Sequence, residues 1–520
     1  MQSALWFSFI TEINFIQPPR SMILLYNSMF CQCKKSYLNS IIKITKGGFF
    51  MRYTEIAIAK PFEGAPKINL AEAFGASPNK PIILKIPVTG KRPMKYNVLN
   101  LPKGLDLADG IIRGQVELEG DYKVTLIVEN ELGKAEKELV LEIKENNLLL
   151  SPLLGFTTWN AFQSAVTQEL AETSAKIIIE SGIAEYGYSY INIDSGWQKE
   201  YGGKYDAIMP NEKFPDMGAF CDLVHNLGLK CGIYSTPMLT AWGCPEEFES
   251  VPGCTQGEAD ILFADANGGV GVVRKEKNNA LQWAEWGFDY LKYDWCPCDP
   301  YNADLMKKAL LSTNRDFAFC VTTWASHHYH KYWETHCNHY RCNEDSVGTW
   351  DNLLSIYNSR NRFVKHIKRG HYFDMDMLDV GNGVHRGFNE DEQLVAYSMR
   401  AFFSSPIQIS SDLRKLTEFE LSMYCNDEIL EIHQDNGYSI AEPYLILEEN
   451  NRLAHIFKKR LADGGVAFAF FNLGDTTENL IVNLDETAKI RDVWAKKDIS
   501  ESNVIEAELK PHTVRIFKAL

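Results

Sequence analysis

The sequence predicts a multidomain α/β and β protein, with a central (β/α)8 barrel between two β-rich modules. Three observations carry that prediction. A chain of 520 residues is too long for one compact core. Residues from about 150 to 415 alternate strand-like apolar runs with amphipathic helical segments, giving eight candidate strands in about 265 residues, the usual size of such a barrel. On either side, the pattern turns to short strands with no helical period.

Residues 52–147 form the first module. Ile82–Val88 and Lys123–Val128 are strand-like runs separated by Gly, Pro and Asn turns, and Glu138–Ile143 alternates strictly. That pattern predicts a small β-sandwich of immunoglobulin-like type with no catalytic constellation. Residues 1–50 read differently. Ala4 to Ile16 is apolar but broken by Glu12 and Asn14, with no small-residue cleavage site after it, which makes it a poor export signal. They are expected to be an extension outside any domain, and the expected compartment is the cytoplasm. The twelve cysteines are then expected to be mostly reduced.

The barrel is expected over 150–425. Gly155–Asn160 opens it, and Thr167, with Glu169 and Glu172 after it, starts a helix to Glu180. Strands follow at Tyr188–Asp194, Leu229–Tyr234, Leu291–Asp294 and Phe317–Trp324. Later ones are expected to end at Asp345, at Asp374 with Asp376, and at Pro406–Ser410. In such a barrel the C-terminal strand ends face the active site, so carboxylates placed there are candidates for chemistry. Asp294 ends its strand, and Lys292, two residues earlier, points the same way. A lysine there favours the ionised carboxylate that a nucleophile needs. The bland alternative for this pair is a structural salt bridge.

Composition narrows the partner. A net charge of −15 argues against nucleic acid and anionic membrane surfaces and fits a neutral substrate. No apolar run is long enough to span a bilayer. His327, His328 and His330 cluster in sequence, and Cys244, Cys254, Cys296 and Cys298 could gather on neighbouring loops. Neither set has a recognised zinc spacing, so no metal and no cofactor is expected.

Several motifs taken together resemble glycoside hydrolase family 27, the retaining α-galactosidases and α-N-acetylgalactosaminidases. They are Gly155–Asn160, Tyr190–Asp194 with Trp197-Gln198, Gly228–Tyr234, Leu291–Asp294, Asp374–Leu378, and Ser405–Ile407 with Asp412-Leu413. The resemblance covers about residues 150–520 and implies an antiparallel β-sandwich over 427–520. It also implies a two-carboxylate double displacement, with Asp294 as nucleophile and Asp345 as acid/base. The adjacent Glu344 is the competing register for the acid, and the strand pleat is expected to select Asp345. Substrate contacts are implied for Trp159, Asp194, Lys292, Arg341 and Asp376, and for Thr323 in the loop that discriminates at the 2-position of the sugar.

This chain also departs from the family. Ser195 stands where a second Asp is usual, and Phe373 and Met375 stand where Asn and Pro are common. One family disulfide joins a loop cysteine to the position of Cys296. The expected substrate is a galactose-containing oligosaccharide or glycoconjugate with a terminal α-D-galactosyl residue. N-acetylgalactosamine and β-L-arabinopyranose are the alternative sugars, and a non-catalytic carbohydrate-binding barrel is the alternative class. Oligomeric state, a homo-oligomer included, stays open at this level.

Overall fold

The structure is a computed structural model. It describes residues 52–241, 251–260, 269–322, 327–341, 343–435, 439–449 and 452–520. The extension at 1–50, Cys244, Thr323, Trp324, Ala325 and Ser326 lie outside the described residues, as does the side chain of His327.

Residues 67–143 fold into two main β-sheets and a two-stranded ribbon of Lys67–Ile68 with Val88–Thr89. One has four strands in the order Ala73–Ala76, Gly133–Ile143, Gly120–Asn130, Lys95–Leu99; the other has three, Ile82–Lys85, Ile111–Gly114, Leu105–Ala108. Every second residue of Ile82–Lys85 is buried, and Leu139, Leu141 and Ile143 alternate inward from the four-stranded sheet. They meet Ile112, Val124, Leu126 and Val128 in one core, the product of period-two patterning.

Eight parallel strands form the barrel: β1 Leu154–Thr157, β2 Tyr190–Asn192, β3 Lys230–Ser235, β4 Tyr290–Asp294, β5 Ala318–Thr322, β6 His339–Arg341, β7 Tyr372–Asp374 and β8 Ile407–Ile409. Each of β1 to β6 pairs with the next in sequence, and β8 pairs with β1. Between β7 and β8 the closure is a single bridge, Leu378 to Ile409, lying beyond the end of β7. It is made by the Leu378 N–H donating to the Gln408 carbonyl at 2.8 Å and the Ser410 N–H donating to the Leu378 carbonyl at 3.1 Å.

Helices α1 Gln168–Glu180, α2 Met217–Asn226, α3 Glu276–Trp286, α4 Pro300–Leu311, α5 His330–His336, α6 Trp350–Phe363 and α7 Glu390–Phe402 surround the strands. Thr167 caps α1 as expected, its hydroxyl accepting from the Leu170 N–H at 3.2 Å. The interior is crowded enough to require Gly232: a Cβ there would lie 2.1 Å from Asn192 Oδ1 and 2.6 Å from the Tyr290 ring.

The sixth strand ends at Arg341, not at Asp345 as expected from sequence. Asp345 instead stands on the loop between β6 and α6. Among the described residues, no hydrogen-bonded partner strand runs alongside 343–346, so the pleat does not orient them.

A helix, Asp427–His433, packs on α7 ahead of the C-terminal strands. Six antiparallel strands follow, in the order Glu442–Leu447, Ala454–Arg460, Val466–Asn472, Thr513–Ala519, Glu478–Asp492, Lys497–Leu509. Val466–Asn472 is central and buried almost throughout. The long hairpin 478–509 folds over it, so that Leu480, Val482, Ile505 and Leu509 pack with Ile456, Phe468 and Phe470.

Candidate active site

The C-terminal ends of β2, β3, β4, β5 and β6 and the segment after β7 bring four carboxylates, a lysine and an arginine to one rim. Asp294, the last residue of β4, is half-buried. Two hydroxyls hold its carboxylate: Tyr234 on β3 donates to Oδ2 at 2.9 Å, and Thr322, its cross-strand neighbour on β5, donates to Oδ1 at 2.6 Å. With both oxygens tethered from flanking strands, the carboxylate cannot rotate freely, the preorganisation a nucleophile requires.

Lys292 sits beside Tyr234 in register and on the same face as Asp294. Its ammonium donates to Asp194 Oδ2 at 2.7 Å rather than to Asp294. Burial works to lower the lysine pKa, but the charges of Asp194, Asp294 and Asp376 outweigh it and hold Lys292 protonated above the usual lysine range. Asp194 lies two residues beyond β2, only 3% exposed. Its Oδ1 accepts from the Ser195 N–H at 2.8 Å, and its own N–H donates to the Thr158 hydroxyl at 2.9 Å. Ser195 therefore supports Asp194 through its backbone, a contact that does not need the acidic side chain usual there.

Across the rim, Arg341 ends β6 and is 2% exposed. One Nη donates to Asp345 Oδ1 at 2.8 Å, and the other lies 3.3 Å from Asp376 Oδ1. Asp376 also accepts from the Ser346 N–H at 2.7 Å. Arg341 thus pairs with Asp345, so that an ion pair holds the side chain whose direction the sequence reading had assigned to strand pleat. The Asp345 side chain is 72% exposed toward the open mouth. Crowding by protein atoms would raise its pKa, but the Arg341 guanidinium dominates and holds the carboxyl below the usual range. The Tyr234 hydroxyl is pushed far up, first by burial and then by the negative charges of Asp294, Asp194 and Asp345, which gather about that phenol.

Asp374 and Asp376 divide their work. Asp374 is inside the barrel, and burial, then the neighbouring Asp376, raise its pKa to about 6. Its Oδ1 accepts the Asp376 N–H at 2.8 Å. Asp376 adopts φ +68°, a left-handed conformation rare outside glycine, which turns its carboxylate from the strand direction toward Arg341. The buried guanidinium of Arg400 on α7 supports that bend by donating to the carbonyls of Met375 at 2.9 Å, Asp376 at 3.1 Å and Met377 at 3.2 Å. Met375 and Phe373 point away from the rim into the barrel's packing, with Phe373 stacked on Phe363 at 5.9 Å.

Trp159 opens the short helix Trp159–Phe162 after β1 and is half-buried. Thr323 follows Thr322 but lies outside the described residues. Sequence reading missed Tyr234, Thr322 and Arg400. Tyr234 and Thr322 become visible only through cross-strand register, and Arg400 sits on a helix whose pattern gives no hint of the carbonyls it reaches. Cys296 is exposed, while Cys298 and Cys254 are buried, their thiols meeting the Thr322 carbonyl and Ser235.

The chain is similar to known proteins over both the barrel and the C-terminal strands. The family model described as Alpha galactosidase A matches residues 157–261 and 256–435, and that of the Alpha galactosidase C-terminal beta sandwich domain matches 452–519. Alpha-galactosidase 2 of Arabidopsis thaliana is 26% identical over 391 residues, covering 72% of this chain and 91% of the relative. A solved Bacteroides fragilis chain, provisionally designated an α-galactosidase/melibiase, superposes with a TM-score of 0.78 at 28% identity, over 88% of this chain and 99% of its own. Alpha-galactosidase I of Mortierella vinacea gives a TM-score of 0.62 at 25% identity, over 72% and 98%. With its barrel and C-terminal module both matched, and its rim built as described, the chain belongs to the α-galactosidase family, glycoside hydrolase family 27, and is a glycoside hydrolase.

Proposed function

We propose that the protein is a retaining exo-glycosidase that removes terminal α-D-galactosyl residues from oligosaccharides or glycoconjugates. The observation that carries this reading is the tethered Asp294 facing an Arg341-held Asp345 across a rim that also bears Asp194, Lys292 and Asp376. Asp294 Oδ attacks the anomeric carbon while Asp345 gives its proton to the departing glycosidic oxygen. The ester formed on Asp294 is then broken by a water whose proton returns to Asp345, so two inversions give net retention. Asp194 and Lys292, locked together, present an acceptor and a donor to sugar hydroxyls. Asp376 and Arg341 do the same from the opposite wall, and Trp159 offers an apolar face to the ring.

Arg341 suits Asp345 to the second half of this cycle, where a carboxylate must accept a proton. In the first half Asp345 must hold one, and a bound sugar that displaces water from the 72% exposed side chain raises its proton affinity toward that need. The N-terminal two-sheet module fits an immunoglobulin-like fold acting as a packing partner of the barrel, and the site of action that fits the sequence is the cytoplasm. The direct test is hydrolysis of p-nitrophenyl α-D-galactopyranoside beside the α-N-acetylgalactosaminide and β-L-arabinopyranoside, with Asp294→Asn as control. Turnover of the galactoside above the others, abolished in the variant, is expected. Preference for either other sugar would reassign the substrate, and activity surviving in Asp294→Asn would reassign the nucleophile.

A further inference from the structure

The connections between the fifth and seventh strands carry a cluster that the glycosidase reading does not use. His330 and Glu334 are four residues apart on α5 and so share one face of that helix. His366, in the single turn Val364–His366 that follows α6, meets them from the neighbouring connection. The two imidazole rings lie 4.2 Å apart between centroids, tilted by 35°. Glu334 Oε2 is 3.9 Å from His366 Nδ1, and one ligand atom of each of the three residues lies within 4.8 Å of the others.

From this geometry we infer a zinc-class metal site formed by His330, Glu334 and His366, the fourth position being left to water. Two imidazoles and one carboxylate are a donor set that suits Zn²⁺ and its borderline neighbours, whereas Mg²⁺ and Ca²⁺ prefer oxygen alone. Ligand atoms of a tetrahedral zinc stand roughly 3.4 Å apart for bonds near 2.1 Å. Closing from at most 4.8 Å therefore shortens any separation by no more than about 1.4 Å. The site is reachable: His330 and His366 are half-buried, not sealed. Two other triads among the described residues fit a metal less well. His225, Cys231 and Asp289 already bind one another and Arg315, and Cys320, His339 and Asp374 are shut inside the barrel.

Lys368 is the competitor. Its ammonium lies 3.1 Å from Glu334 Oε2, at the edge of the position a cation would take, but 53% of its side chain is exposed and its long stem can swing into solvent. The metal replaces that ammonium and fastens α5 to the end of α6. The spacing His330…Glu334…His366 escapes a search for zinc motifs because its third ligand is supplied by the fold.

Isothermal titration of untagged, chelator-stripped full-length protein with Zn²⁺ tests the site, together with Co²⁺ absorption to identify the donors. One Zn²⁺ per chain is expected, weakened at least tenfold in His366→Ala and in Glu334→Gln and tightened in Lys368→Met. The Co²⁺ spectrum should lack thiolate charge transfer, and all three variants should keep galactoside hydrolysis. Absence of binding, a thiolate band, or affinity unchanged by His366→Ala would overturn the site. Should that variant fail to fold, Lys368→Met decides alone: tighter binding supports the site, and unchanged affinity refutes it.

Discussion

Tyr234 and Thr322 grip the two oxygens of Asp294, and the grip makes a residue-scale prediction. A hydrogen bond to a charged group contributes about 1.5–3 kcal/mol. Tyr234→Phe should thus lower kcat by about 10–100-fold if the bond strengthens toward the transition state. KM should hardly move, and steady-state kinetics on a nitrophenyl galactoside separate the two parameters. A loss confined to KM would mean that Tyr234 serves binding only. Arg341 leads to a pH prediction. Because its charge holds Asp345 below the usual carboxyl range, the alkaline limb of kcat/KM, which reports the acid of the free enzyme, lies low. Arg341→Met removes that charge, so the limb should move to higher pH even as the overall rate falls. A limb that stays put would remove Asp345 from the acid role. Lys292 and Asp294 were legible on their strand because an apolar run leads into it, whereas Arg341 was implied only by the family resemblance, its strand His339–Arg341 having no apolar run. The sequence misjudged why Asp345 faces the site, since a loop residue answers to its ion-pair partner and not to a pleat.

At the scale of elements, the barrel's lower end is tied by a buried ionic knot. Asp289, just ahead of β4, accepts from His225 of α2 at 2.8 Å and from Arg315 at 2.6 Å. Burial would lower the His225 pKa, yet the hydrogen bond and charge of Asp289 raise it to about 10. The sign follows from linkage. Protons bind the folded state more tightly, so the stabilisation is complete below the unfolded histidine value near 6.5 and disappears as pH rises through about 10. Melting temperature should therefore fall between those pH values in the wild type and flatten in His225→Gln, measured by circular dichroism. An identical pH slope in both would exclude the knot as the cause. Asp289→Ala, which strands two cations, should cost about 3–5 kcal/mol. Helix α1 and strands β1 to β5 were legible because period and caps coincide there. The contacts that join elements, such as Arg400 to the carbonyls of 375–377, were not, because three-dimensional proximity between residues far apart in sequence leaves no periodic trace.

Across the whole molecule, the N-terminal sheets lie against the end of the barrel opposite the catalytic rim. Their contacts fall on residues that precede strands. Ser77 N–H donates to Asp316 at 2.7 Å, while buried Glu185 accepts from Val88 N–H at 3.0 Å and pairs with Arg92 at 3.1 Å. Glu185→Ala leaves a backbone donor and partly shielded cations without their partner, and should cost about 2 kcal/mol or more. Because that face is remote from Asp294, kcat/KM measured well below the melting temperature should be unchanged. A drop in kcat/KM would mean that the β-module communicates with the site.

The closure of the barrel carries a consequence of its own. Seven of its eight seams are ladders, while the eighth is the lone bridge from Leu378 to Ile409, two residues after Asp376. Breathing of a closed cylinder begins where the fewest backbone bonds must break together. The wall that carries Asp376, to which the proposed function gives sugar contacts, is therefore expected to open first. A sugar that bridges it to the Asp294 wall would act as the missing rung, making the occupied enzyme the more slowly exchanging one.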